Sequence, residues 1–369
     1  MTILVTGGAG YIGSHTVIQL LDDGADVVIA DTLENSSAVV LDRIAELTGR
    51  RVPFEQVDVS DPQALDRLLT RYDVTEVIHF AGLKAVGESV EQPLRYYSHN
   101  LGSTLTLLQA LDRHGIRRFV FSSSATVYGP DAAAPAQEDD PTSATNPYGW
   151  TKVMIEQMLR DLAAADDRWR IAILRYFNPV GAHPSGLIGE DPRGRPNNLL
   201  PFVTQVAVGR QNELTVFGDD YPTADGTGVR DFIHVEDLAS GHVHALAHLR
   251  RTDEPVSTFN LGTGEGTSVR GLVTAFERAS GHRIPVRVAP RRAGDVAVSY
   301  ADSSKANDVL GWRARHGIDD ICTDAWRWQR QNPLGYESLP ARRRSARTQA
   351  PRRQRYPLLP ALRLAGRAG

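Results

Sequence analysis

Short, nearly continuous apolar runs stand out in the first half of the chain: Ile3-Leu4-Val5, Val27 to Ala30, Val77 to Phe80, Phe119 to Phe121 and Ile171 to Leu174. None alternates with polar residues, and each ends in a small or polar residue, the pattern of strands buried on both faces. Val52 to Val59 reads as a further strand ending near Asp58. The stretches between them carry helical spacing instead. Asp61-Pro62 opens a helix with Leu65, Leu68 and Leu69 on one side, Pro93 to His114 spaces Leu101, Leu105 and Leu108 in the same way, and Tyr148 to Ala164 is helical. Strand and helix alternate, which predicts an α/β fold built on a parallel, doubly wound sheet.

The turn after the first run is the most informative stretch. Gly7, Gly8, Gly10 and Gly13 follow Val5 at once, so that Gly8-x-Gly10-x-x-Gly13 and Gly7-x-x-Gly10-x-x-Gly13 overlap. Glycines at these spacings permit a tight turn, let backbone N–H groups approach a pyrophosphate, and let the next helix pack close on the strand. The second strand ends at Asp31, eighteen residues after Gly13, where a ribose-binding carboxylate is expected. A carboxylate there accepts ribose hydroxyls and repels a 2′-phosphate, so the expected cofactor is NAD rather than NADP. In such Rossmann-type sheets ligands bind beyond the carboxyl ends of the strands, where Gly7, Asp31, Asp58, Ala81, Ser124 and Asn178 all fall.

Beyond Pro179 the composition shifts to Gly, Pro and Asn, with long loops expected over Pro192 to Pro201 and Tyr221 to Gly228 and helices over Val203 to Val208, Val235 to Leu249 and Val269 to Ala279. The expected organisation is therefore a dinucleotide-binding domain over residues 1–178 and a smaller mixed α/β substrate lobe over 179–340. Residues from about 230 to 250 pack back on the first domain, and a tail spans 341–369. That tail holds nine Arg and no acid, leaving 32 basic against 44 acidic side chains elsewhere. The composition of the tail predicts disorder, with a basic arm for an anionic partner as the alternative. The acidic body gives no electrostatic case for nucleic acid, and no apolar run is long enough to span a bilayer. Cys322 is the only cysteine, which excludes an intrachain disulfide. With a chain opening on a core strand, this points to a cytoplasmic protein.

Tyr148 and Lys152 stand four residues apart, hence on one face of a helix. A cation near a phenol favours the phenolate, so Lys152 is expected to bring Tyr148 towards neutrality and make it a usable base. Ser124, just past a strand end, offers a hydroxyl to share the proton. His242, His244 and His248 place two imidazoles on one helix face, but no Glu stands between the last two, and they read as solvated helix residues rather than a metal site.

With these motifs in place, the chain resembles the UDP-glucose 4-epimerase branch of the extended short-chain dehydrogenase/reductases over about Met1 to Pro340. The stretches that carry the resemblance are Thr6 to His15, His79 to Ser89, Ser122 to Gly129, Arg175 to Pro184 and Asp225 to Val235. The resemblance implies an NAD site formed by Gly7, Gly10, Tyr11, Ile12, Gly13, Asp31, Thr32, Leu33, Glu34, Asn35, Ser36, Asp58, Val59, Phe80, Ala81, Gly82, Leu83, Lys84, Asn100 and Phe177, with Ser124, Tyr148 and Lys152. It implies a UDP-sugar site formed by Lys84, Ser124, Tyr148, Asn178, Asn198, Leu199, Thr215, Val216, Phe217, Arg230, Arg292, Asp295 and Ser299, no metal, and a homodimer. Thr32 replaces a usual Asn, His99-Asn100 leaves open which side chain meets the cofactor, and Ser299 stands where some relatives carry Tyr. Three other readings stay open at this point. They are a 4-epimerase of another UDP-sugar, a 4,6-dehydratase, which needs an acid pair where this chain has Ala125 and Thr126, and a non-catalytic NAD-binding protein.

Overall fold

The computed structural model describes residues 1–338 apart from Arg195, Asn197 and Ala293, so the basic tail lies outside the described residues. Seven parallel strands form the central sheet in the order Val256–Leu261, Arg170–Tyr176, Arg118–Ser122, Val74–His79, Thr2–Thr6, Asp26–Asp31, Phe54–Gln56. The order reverses beside Thr2–Thr6, the switch point at which sheets of this kind carry a ligand crevice beyond the strand ends.

Successive residues of a strand face opposite ways, so Ile3 and Val5 enter one core while Leu4 enters the other. On the first face, the Tyr11–Asp22 helix packs on the Val235–Leu249 helix through Val17, Leu20, Leu238 and Ala245. On the second, Leu65, Leu68, Leu107, Leu111, Ile155 and Leu159 cover Val28, Val77 and Phe119. A third core joins the Leu199–Ala207, Val269–Ser280 and Ile318–Gln331 helices around Val203, Phe276 and Ile321. Among the described residues no helix is long and apolar enough to cross a membrane.

Three differences from the sequence expectations have local causes. The strand expected over Val52 to Val59 shortens to Phe54–Gln56, because it lies at the sheet edge and pairs on one side only, against Ile29–Asp31. The helix expected to begin at Val203 begins at Leu199. Pro201 falls in its first turn, where a missing N–H leaves no bond unmade. The seventh strand, Val256–Leu261, comes from beyond residue 178 and completes the sheet against Arg170–Tyr176.

Candidate active site

The glycine turn is closed so tightly that side chains are excluded. Gly7 has φ of +69°, and a Cβ there would lie 2.8 Å from the Ala81 nitrogen, while one on Gly13 would lie 2.3 Å from the Gly7 carbonyl oxygen. The helix that follows starts at Tyr11 without a side-chain cap, which leaves first-turn N–H groups free for an anion. Asp31, at the end of its strand, accepts from the N–H groups of Ala9 at 3.1 Å and Leu33 at 2.9 Å and from Ser36 Oγ at 2.9 Å. This bonding holds Leu33 in the left-handed region at φ of 60°, a strained conformation for a branched residue. Asp58 caps its own turn through Ser60 N, Val59 is buried, and the Thr32 hydroxyl accepts from Glu34 N, while Asn35 is exposed. Asn100 holds the Ala81-to-Lys84 turn rather than standing free. Its amide donates to Leu83 O and Thr151 Oγ1 and accepts from Leu83 N at 2.8 Å, with Gly82 packed against it.

Tyr148 and Lys152 lie in the first turns of the Pro147–Ala165 helix, whose cap is Asn146, bonded through its side chain to Gly149 N at 2.9 Å. Both side chains are buried. Ser124 Oγ accepts from Thr126 N at 3.2 Å and Thr126 Oγ1 at 3.0 Å, so its own proton is available to the Tyr148 oxygen. Burial raises the phenol above its ordinary value, and the Ser124 hydrogen bond opposes that rise. Lys152 Nζ donates to Ser122 O at 2.9 Å and lies 5.8 Å from the centre of the Tyr148 ring. Burial pulls the ammonium down to about 8, against the opposing carboxylate of Glu156. Burial thus acts on the phenol in the direction opposite to the one expected of Lys152.

The second wall of the crevice is cationic. Arg230 pairs in register with Ser299 and with Thr267, so their side chains share one face of a three-stranded sheet. The Arg230 guanidinium donates to the Val229 carbonyl at 2.9 Å, and among the described residues no carboxylate lies at ion-pair distance from it. Arg292 stacks over the Phe217 ring at 3.8 Å, and Val216 is buried beside it in the Leu214–Phe217 strand. Thr215 Oγ1 is held by Arg287 at 3.0 Å. Asp295 N closes a turn on Arg292 O, and Gly294 approaches Thr145, three residues before Tyr148. The Asn178–Val180 strand leaves Asn178 exposed, Phe177 is buried against Tyr128, and Leu199 is half-buried at its helix start. Tyr11 spans the two sides by donating to Gly181 O at 2.8 Å, and Ile12 is half-buried behind it.

Two features departed from the sequence reading or escaped it. His242 is not solvated. It is fully buried, its Nδ1 bonded to Leu238 O at 2.9 Å and its Nε2 to Ser122 Oγ at 3.2 Å, with Phe80 packed at 4.6 Å. Burial lowers it to about 4, so it is a neutral support behind Ser122. Thr151, whose hydroxyl links Asn100 to the Tyr148 carbonyl, was also missed, because a helical Thr carries no signal of its own.

A model of the NAD dependent epimerase/dehydratase family matches residues 3–262. The sequence is 56% identical over 338 residues to the UDP-glucose 4-epimerase of Bacillus subtilis (strain 168), covering 92% of this chain and 99% of that one. It is 55% identical over 341 residues to the UDP-glucose 4-epimerase of Homo sapiens, covering 90% of this chain and 98% of that one. The solved structure of UDP-glucose 4-epimerase from Bifidobacterium longum in complex with NAD+ and UDP aligns with a TM-score of 0.88 at 52% identity, over 91% of this chain and 100% of that chain. The chain thus belongs to the NAD dependent epimerase/dehydratase family, among its UDP-glucose 4-epimerases.

Proposed function

We propose that this protein interconverts UDP-glucose and UDP-galactose by transient oxidation at C4 with retained NAD. The observation that carries the reading is the buried Tyr148 phenol, beside Ser124 and one helical turn from Lys152. The cradle fits the cofactor: Gly7 and Gly13 leave room for backbone approach alone, the helix start is uncapped, and Asp31 stands where a 2′-phosphate would be repelled. Bound NAD would supply a hydride acceptor for C4 and a positive charge near the phenol. Tyr148 then takes the proton of the sugar O4 and later returns it, with Ser124 sharing that proton. Arg230 and Arg292 hold the diphosphate while the oxidised sugar turns to present its other face. Water is not lost, since the residues after Ser124 are Ala125 and Thr126, and the Thr126 hydroxyl is engaged with Ser124 itself.

A cytoplasmic homodimer completes the proposal. Val90, Leu94, Leu105, Trp150 and Met154 form an apolar surface on the adjoining helical segments between Val86 and Arg113 and on the Pro147–Ala165 helix. Val90 is 62% and Leu94 81% exposed, and a second copy of the chain would cover them.

Substrate range is tested with the same assay. Ser299 shares its face with Arg230, whereas Tyr300 lies on the opposite face, its ring against Gly266. The neighbouring Tyr therefore does not refill the place a large residue at 299 would take, which supports acceptance of an N-acetyl group at C2. Incubation with a panel of UDP-sugars, resolved by chromatography, is expected to show epimerisation of UDP-glucose and of UDP-N-acetylglucosamine. Ser299→Tyr should lower the second activity relative to the first by roughly tenfold or more, the usual effect of overfilling a pocket. An unchanged ratio would remove Ser299 from substrate selection, and absence of any UDP-galactose would contradict the proposed activity.

A further inference from the structure

Glu190 lies between the two sides of the crevice, in the loop that follows Gly181, and no motif marks it. Its side chain is only 8% exposed. One oxygen, Oε1, accepts from Lys84 Nζ at 3.1 Å and from Asn198 Nδ2 at 2.8 Å. Lys84 belongs to the turn that closes on the glycine cradle, and Asn198 precedes the Leu199–Ala207 helix of the other lobe. The second oxygen, Oε2, is buried and has no donor among the described residues. A buried acceptor of this kind is costly, so the carboxylate is kept in place by its two bonds to Oε1.

The loop is not free to move the carboxylate away. Gly189 sits so close to Trp328 that a Cβ would fall 2.4 Å from its ring, Trp328 Nε1 donates to Glu190 O at 3.3 Å, and Tyr336 OH accepts from Gly189 N at 3.2 Å. Further along, Arg193 donates to Ser36 O at 2.7 Å, in the segment that flanks Asp31. The same loop is thereby tied to both edges of the cofactor cradle. One carboxylate oxygen therefore joins the turn beside the cofactor cradle to the start of a helix in the other lobe.

We infer that Glu190 is a positioning residue: through Oε1 it fixes Lys84 towards the cofactor and Asn198 towards the nucleotide-sugar. The inference rests on the reading of the crevice as an NAD and UDP-sugar site. Because one carboxylate serves both sides, occupation of one strengthens retention at the other, and the coupling is reciprocal.

The test measures NAD remaining on the full-length protein during repeated gel filtration, with and without UDP, by quantifying cofactor released on denaturation. Wild type should hold NAD, and UDP should slow its loss. Glu190→Gln keeps the shape but loses the charge and places an N–H where an acceptor stood. It should lose NAD roughly tenfold faster or more, as expected for a charge-assisted hydrogen bond, with little slowing by UDP. The KM for UDP-glucose should rise by a similar factor while kcat at saturating NAD and sugar stays near wild type. Glu190→Asp, which keeps the charge, should restore part of the UDP effect, and it serves equally if the Gln variant does not fold. Wild-type rates of NAD loss and a wild-type UDP effect in both variants would overturn the assignment, whatever happens to the thermal midpoint. A wild-type protein releasing no NAD on denaturation would overturn the cofactor reading and this inference with it.

Discussion

Tyr148→Phe should lower epimerisation of UDP-glucose by roughly 100-fold or more, the usual range for loss of an acid–base group. The ring is buried and stays in place, and the Ser124 oxygen beside it keeps both of its bonds from Thr126. Thermal stability should therefore change little, while kcat at saturating sugar falls. A base must shed its proton before it can accept one, and burial, with the neighbouring Tyr176 and Tyr96, holds the Tyr148 phenol above its ordinary value. Lys152 lies 5.8 Å from the ring centre, and a bound cofactor would add its own positive charge to oppose that rise. Turnover within a few-fold of wild type would show that the proton leaves by another route.

Arg230→Met has the second largest expected effect, and it separates binding from folding. A guanidinium held by its neighbour's carbonyl, with no carboxylate at ion-pair distance among the described residues, is a half-buried cation awaiting an anion. Burial accordingly lowers its proton affinity, although Asp295 acts in the other direction. Hydrogen bonds from a charged group contribute about 1.5–3 kcal/mol each, so losing two to a diphosphate should raise the KM for UDP-glucose by roughly 100-fold or more. Without nucleotide, the thermal midpoint should hold or rise, because Met takes the arginine's place without a charge to desolvate. A lower midpoint with an unchanged KM would mean that Arg230 supports the fold instead.

The strands with continuous apolar runs were legible because burial on both faces leaves no alternation to confuse with a helix. Val256–Leu261 was not, since Ser257, Thr258 and Asn260 are polar. The chain buries Asn260 by pairing it with Tyr128 OH, Ala136 O and Asp302 O, partners far away in sequence. The same reason hid His242, which hydropathy counts as polar but which the core accepts as a neutral ring with both nitrogens bonded. Tyr148 and Lys152 were legible because a helix converts a spacing of four into a shared face. Glu190 was not, because its meaning arises only when Lys84, 106 residues earlier, folds onto the same oxygen as Asn198. The roles proposed for the nucleotide-sugar wall share that dependence. Arg230 and Ser299 meet only through sheet register.

The most direct test uses UDP-glucose carrying deuterium at C4, incubated with the purified protein and no added cofactor. Hydride removed from one face of C4 and returned to the other within a closed site never exchanges with water. UDP-galactose should therefore form with the deuterium retained at C4 and with no net oxidation. Deuterium lost to solvent, product formed only on addition of external NAD, or a 4-keto-6-deoxy sugar in place of UDP-galactose would contradict the account.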